Sequence, residues 1–113
     1  MMVLLLTASA SAQTPAPQNA APAGNAENGK RLFTSYYCYA CHGTVGQGGS
    51  AGARIAPRPI AYAALLRYVR KPAGGMPPYT SKVIADQELA DIYAFLRSLP
   101  PTPSAQSIPL LNQ

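Results

Sequence analysis

Both cysteines and the only histidine of the chain fall within five consecutive residues, Cys38-Tyr39-Ala40-Cys41-His42. Any metal or redox chemistry built on these side chains is confined to that stretch, and the remaining fold has to be organised around it. Two thiols separated by two residues, with an imidazole directly after, is the spacing of covalent haem attachment. The thiols lie close enough to add across two vinyl groups on neighbouring pyrroles. The histidine, carried on the same turn, places a ring nitrogen on the iron. One short segment would thus hold the ring at three points.

Other readings of the five residues stay open. A zinc site wants four protein ligands, and beyond Cys38, Cys41 and His42 the chain has no further Cys or His. A thioredoxin-like redox pair follows a strand in an alternating strand and helix pattern, whereas here a helical segment precedes the motif and no strand follows. A plain structural disulfide in an exported protein is the serious competitor. It would close a loop too short to stabilise much and would leave His42 without a purpose.

A chain of 113 residues with 9 glycines and 12 prolines allows one small domain whose core alone is marginal. A large apolar cofactor would supply the missing burial. With no Trp, Phe33, Phe95 and the tyrosines do the aromatic packing. The formal net charge of +5 suits an acidic partner. Nucleic acid is disfavoured, because there is no basic run and no DNA- or RNA-reading motif.

The ends of the chain differ from its middle. Residues 1–12 are a short apolar stretch closing on Ala10-Ser11-Ala12, the small-x-small pattern of a signal-peptidase site, and predict export. No Lys or Arg precedes the apolar run, which is also shorter than usual; a start assigned too far downstream would explain both. No stretch reaches the 20 or so apolar residues that a membrane span needs. Residues 13–24, rich in Ala, Pro, Asn and Gln, read as a disordered leader. The domain is expected over 25–99 and a Pro- and Ser-rich tail over 100–113. The tail residues Ile108, Leu110 and Leu111 either dock on the domain or another protein, or belong to a frayed terminus.

Between these ends the periodicity predicts an all-α domain of three main helices. The first runs from Asn25, as N-cap, to about Tyr37, with Leu32, Phe33, Tyr36 and Tyr37 at helical spacing and Glu27 in the favourable first turn. The second runs from Pro59 to about Lys71, with Leu65, Leu66 and Val69 on one stripe and Pro72 as terminator. The third runs from Asp86 to Ser98 with a clear amphipathic pattern. Gly43 to Ala56 is a glycine-rich loop without a phosphate-loop or dinucleotide fingerprint. It reads as backbone free to pass close to a flat ligand.

Met76, in Gly74-Gly75-Met76-Pro77-Pro78-Tyr79, is the only methionine beyond the leader. It lies in a Gly/Pro turn rather than on an apolar helical face, which favours an iron ligand over core filler. A His/Met pair is the low-spin arrangement for electron transfer.

From about Asn25 to Leu99 the chain resembles a class I cytochrome c of the small, monohaem bacterial type. The resemblance implies one covalently bound haem c held by Cys38 and Cys41, with His42 and Met76 as axial ligands. It implies crossing N- and C-terminal helices, with Gly29 and Phe33 meeting Ile92 and Phe95. It also implies a loop-proline carbonyl accepting a hydrogen bond from the second nitrogen of His42. Pro57 is the candidate, although the glycine that usually precedes it is Ala56 here. Arg54 or Arg58 would pair with a haem propionate, or be a solvated surface charge.

The function expected is periplasmic one-electron transfer, with no catalytic group on the chain. The protein would be a free carrier, or the cytochrome subunit of a dehydrogenase or oxidase. Arg54, Arg58, Lys71 and Lys82 would form a docking rim for acidic redox partners, or merely keep the protein soluble. A high-spin haem sensor or a peroxidase-like enzyme is the alternative if Met76 does not ligate.

Overall fold

The computed structural model describes residues 20–113, so the expected signal segment and residues 13–19 of the leader lie outside the described residues. Four α-helices follow in order: α1 (Ala26–Ser35), α2 (Tyr39–His42), α3 (Tyr62–Arg70) and α4 (Asp86–Ser98). Two short 3-10 turns, Ala105–Ser107 and Pro109–Asn112, end the chain. Among the described residues there is no strand, as the all-α reading requires.

Helix α1 begins where its chemistry directs. The Asn25 side chain accepts from the Asn28 amide at 2.9 Å and satisfies one of the free N–H groups of the first turn. Its far end is tighter than the periodicity predicts. Tyr37, expected inside the helix, takes a left-handed φ of 59°. The Cys38 amide reaches back to the Phe33 carbonyl and the Tyr37 amide to the Thr34 carbonyl, both at 3.1 Å. This is the Schellman pattern, with tyrosine where glycine is usual. The reversal delivers the chain directly into α2, the short helix that carries the Cys-His motif.

Helix α4 is the centre of the domain, with Leu89, Ala90, Asp91, Ile92, Tyr93, Phe95 and Leu96 all buried. It is covered on one side by α1, the most extensive helix pair in the molecule. Phe33 and Phe95 meet there with ring centroids 5.5 Å apart. Gly29 lies against the Asp91 carbonyl and the Ile92 amide, so the crossing needs a residue without a side chain. The expected pairing of Gly29 and Phe33 with Ile92 and Phe95 is therefore the actual one. On the other side Tyr62 of α3 packs edge-on against Tyr93, 5.4 Å between centroids, and donates its hydroxyl to the Asp86 carbonyl at 2.8 Å.

Among the described residues Asp91 is the one charged side chain in this core. Its carboxylate accepts from the Asn25 backbone amide at 2.8 Å, the Asn28 side chain at 2.7 Å and the Gln87 side chain at 3.3 Å. It ties the first turn of α1 to α4. Those bonds, the Asn25 amide foremost, hold the Asp91 carboxyl below its usual range, outweighing the opposite effect of burial.

Three boundaries differ from the expectation. The second predicted helix starts at Tyr62 rather than Pro59, because the chain is extended at Ala61, whose ψ is 141°. Pro57 and Pro59 each bias the residue before them away from helical backbone, and the first buried anchor on this face is Tyr62. Secondly, order begins before Asn25. Ala21 packs on the core, and the Gln87 side chain donates to the Ala23 carbonyl at 2.9 Å. Thirdly, the tail is turned rather than formless, yet Ile108, Leu110 and Leu111 stay exposed and do not dock on the domain.

Candidate haem-binding site

Cys38 and Cys41 flank one helical turn, three residues apart, so their side chains lie on the same side of it. They are free thiols, not a disulfide. Their surroundings are unequal. Cys38 is half-buried against the core, and that burial raises its thiol to about 11, whereas Cys41 is exposed.

His42 ends α2, and its Nδ1 lies 2.7 Å from the Ala53 carbonyl. Nδ1 is thus the donor, and Nε2, with no hydrogen bond among the described residues, is the nitrogen available to a metal. The acceptor expected from the resemblance was the Pro57 carbonyl, and the structure assigns that bond to Ala53 instead. The reason lies in how the glycine-rich loop closes. The Gly48 amide bonds the His42 carbonyl at 2.8 Å, and the Ile55 and Ala56 amides both bond the Gly46 carbonyl. These bonds fold the loop back on α2 before the chain reaches Pro57.

Gly52 shows what the loop uses its glycines for. A Cβ there would stand 2.8 Å from the Cys41 carbonyl oxygen. The close approach foreseen for a flat ligand is made here to the motif's own backbone.

Met76 is half-buried and packs on the same core as Cys38, Ile55, Leu66 and Tyr79. Tyr79, which the sequence reading passed over, sits close enough to both thiols for them to add to the raising of its phenol, after burial itself. Its hydroxyl donates to the Tyr36 carbonyl at 2.8 Å. A tyrosine three residues after a Met in a Gly/Pro loop was the only signal for it. Arg54 is exposed and donates to the Gln47 carbonyl at 3.4 Å, and Arg58 is exposed.

Residues 24–96, well over half of the chain, match the family model described as cytochrome c oxidase, cbb3-type, subunit III. The chain belongs to this family. Its domain is accordingly a class I cytochrome c, and haem-based electron transfer is its chemistry. No curated protein and no solved structure matches it.

The donor set of this cytochrome fits haem c. Two reduced thiols stand one turn apart, an imidazole has one nitrogen fixed and the other free, and a thioether lies at the edge of the core. A tetrahedral metal site does not fit: among the described residues no group of three or more His, Cys, Asp or Glu could hold an ion. No helix among them is long and apolar enough to cross a membrane.

Proposed function

We propose that the protein is a periplasmic one-electron transfer cytochrome with one haem c, attached through Cys38 and Cys41 and ligated axially by His42 and Met76. The observation that carries this reading is the 2.7 Å contact of His42 Nδ1 with the Ala53 carbonyl, on the same turn as two free thiols. That contact fixes the tautomer, aims Nε2 and raises the basicity of the ring.

Haem c supplies a one-electron couple at its iron. Cys38 and Cys41 would hold it as thioethers, and His42 and Met76 would be its two protein ligands to iron, leaving no place for a substrate there. Ile55 and Leu66, half-buried on the same core as Cys38 and Met76, would help to exclude water from its apolar part.

The distribution of charge supports an acidic redox partner. Of the four carboxylates, Asp91 is buried, Asp86 pairs with Arg70, Glu88 accepts from the Ala85 amide and the Tyr36 hydroxyl, and only Glu27 is exposed without such a partner among the described residues. Arg54, Arg58, Lys71 and Lys82 are exposed. Such an imbalance speeds encounter with an acidic surface and weakens as salt rises. The family description favours a place as the cytochrome subunit of an oxidase over a free carrier. The exposed Ile108, Leu110 and Leu111 then offer an apolar grip on the complex.

Haem staining of a denaturing gel tests the covalent attachment. The ferric spectrum tests the ligands: a weak near-infrared sulfur-to-iron charge-transfer band, absent in Met76→Ala, is expected. High-spin bands in the native protein would overturn the reading in favour of a sensor or peroxidase-like enzyme. Gel filtration of the native protein separates subunit from free carrier.

A further inference from the structure

Tyr79 is tied by three bonds to two helices, α3 and the end of α1. Its amide donates to the Val69 carbonyl of α3 at 3.0 Å. Its carbonyl accepts from Arg70 Nη1 at 2.9 Å. Its hydroxyl donates to the Tyr36 carbonyl at the end of α1 at 2.8 Å, and the two tyrosine rings meet edge-on with centroids 6.4 Å apart. The clamp continues on both sides. Arg70 Nη2 pairs with the side chain of Asp86, the first residue of α4, and the Tyr36 hydroxyl donates to Glu88 of the same helix at 3.2 Å.

The loop is thus asymmetric about Met76. On the upstream side the Ala73 carbonyl accepts from the Tyr68 hydroxyl at 2.8 Å, but Gly74 and Gly75, between that tie and Met76, have open space around them and residues 73–75 are exposed. On the downstream side the chain is pinned at Tyr79 and again at Ile84, which is fully buried and whose amide bonds the Thr80 carbonyl at 3.0 Å. Glycines fix little, and one bond lies beyond them upstream against three at Tyr79, so the position of the Met76 sulfur is set mainly from its downstream end.

We propose that Arg70 and Tyr79 are positioning residues that hold the Met76 loop closed, and that this clamp sets how easily an outside ligand displaces the Met76 sulfur. The proposal rests on the reading of Met76 as axial ligand. A competing ligand binds only when the loop is open, so its apparent affinity is scaled by the open fraction. Each bond removed from the clamp raises that fraction, most of all the bonds of a charged guanidinium.

The test is titration of the ferric, haem-loaded full chain with imidazole at pH 7, following loss of the sulfur-to-iron band. The imidazole dissociation constant should fall about threefold in Tyr79→Phe and about tenfold in Arg70→Met, with partial recovery in Arg70→Lys. Asn28→Ala, which weakens the α1–α4 contact remote from the loop, should lower thermal stability and leave the constant in place. Equal constants in wild type, Tyr79→Phe and Arg70→Met would overturn the clamp while leaving the ligand reading intact. A shift in Asn28→Ala as large as theirs would do the same, because it would reduce the effect to stability. Absence of the band from the wild type would overturn the Met76 reading and the clamp with it. If Arg70→Met does not accumulate, Tyr79→Phe decides by the same criterion.

Discussion

Gly29 of α1 lies against the backbone carbonyl of Asp91 in α4 with no room for a side chain between them. The obstacle is backbone on both helices, so a methyl group cannot be accommodated by a rotamer change and the helices must separate. Gly29→Ala is expected to destabilise the protein by about 2 kcal/mol, although alanine is the better helix former. Urea unfolding of the haem-loaded protein measures it. The Phe33–Phe95 contact would loosen in the same variant, since it sits one turn further along the same crossing.

Asp91 makes the same crossing sensitive to acid. Its folded pKa is depressed below that of an ordinary aspartate, so its contribution is complete above the unfolded pKa and is lost as pH falls through the folded value. Asp91→Asn should cost about 2 kcal/mol at neutral pH, because the carboxylate accepts from Asn25, Asn28 and Gln87. The gap between variant and wild type should close as the pH is taken below the ordinary carboxylate range. Unfolding curves of the pair at several pH values check this.

Tyr37 occupies a left-handed backbone position at φ 59° and is 69% exposed. Its side chain gains little there, and the conformation costs a non-glycine residue about 1 kcal/mol. Tyr37→Gly should raise thermal stability by somewhat less than that, since glycine also frees the unfolded chain. Loss of stability would mean that the ring's contact with Tyr39, 6.1 Å between centroids, outweighs the strain.

Gly52→Ala probes the imidazole. Its Cβ would press on the Cys41 carbonyl and push the loop carrying Ala53 away from His42 Nδ1. A weaker bond lowers the basicity of the ligand and disfavours the oxidised iron, so the reduction potential should rise by on the order of tens of millivolts. Redox titration of wild type and variant reads this directly.

Much of the domain was legible from local and periodic signals. The bounds of α4 follow from its acidic first turn, its apolar period and the Leu99-Pro100 stop, and the N-cap of α1 from Asn25 alone. The start of α3 was not, because Pro59 is a good first-turn residue in isolation. The placement of Tyr62 against Tyr93 decides where helical backbone begins. Nor was the Tyr37 reversal, which has no glycine to announce it.

The donor groups could be read before any folding was considered: two thiols and an imidazole on one turn, a methionine in a Gly/Pro loop, and the small residue at which two helices cross. These are side-chain identities at fixed spacing, and spacing along a helix is already geometry. Which carbonyl orients His42 and what pins the Met76 loop emerge only once the chain is folded. Every residue carries a carbonyl, so Ala53 differs from Pro57 as an acceptor only in where loop closure puts it. Tyr79 likewise acquires its place from Val69, Arg70 and Tyr36, residues on elements that meet only when the chain is folded.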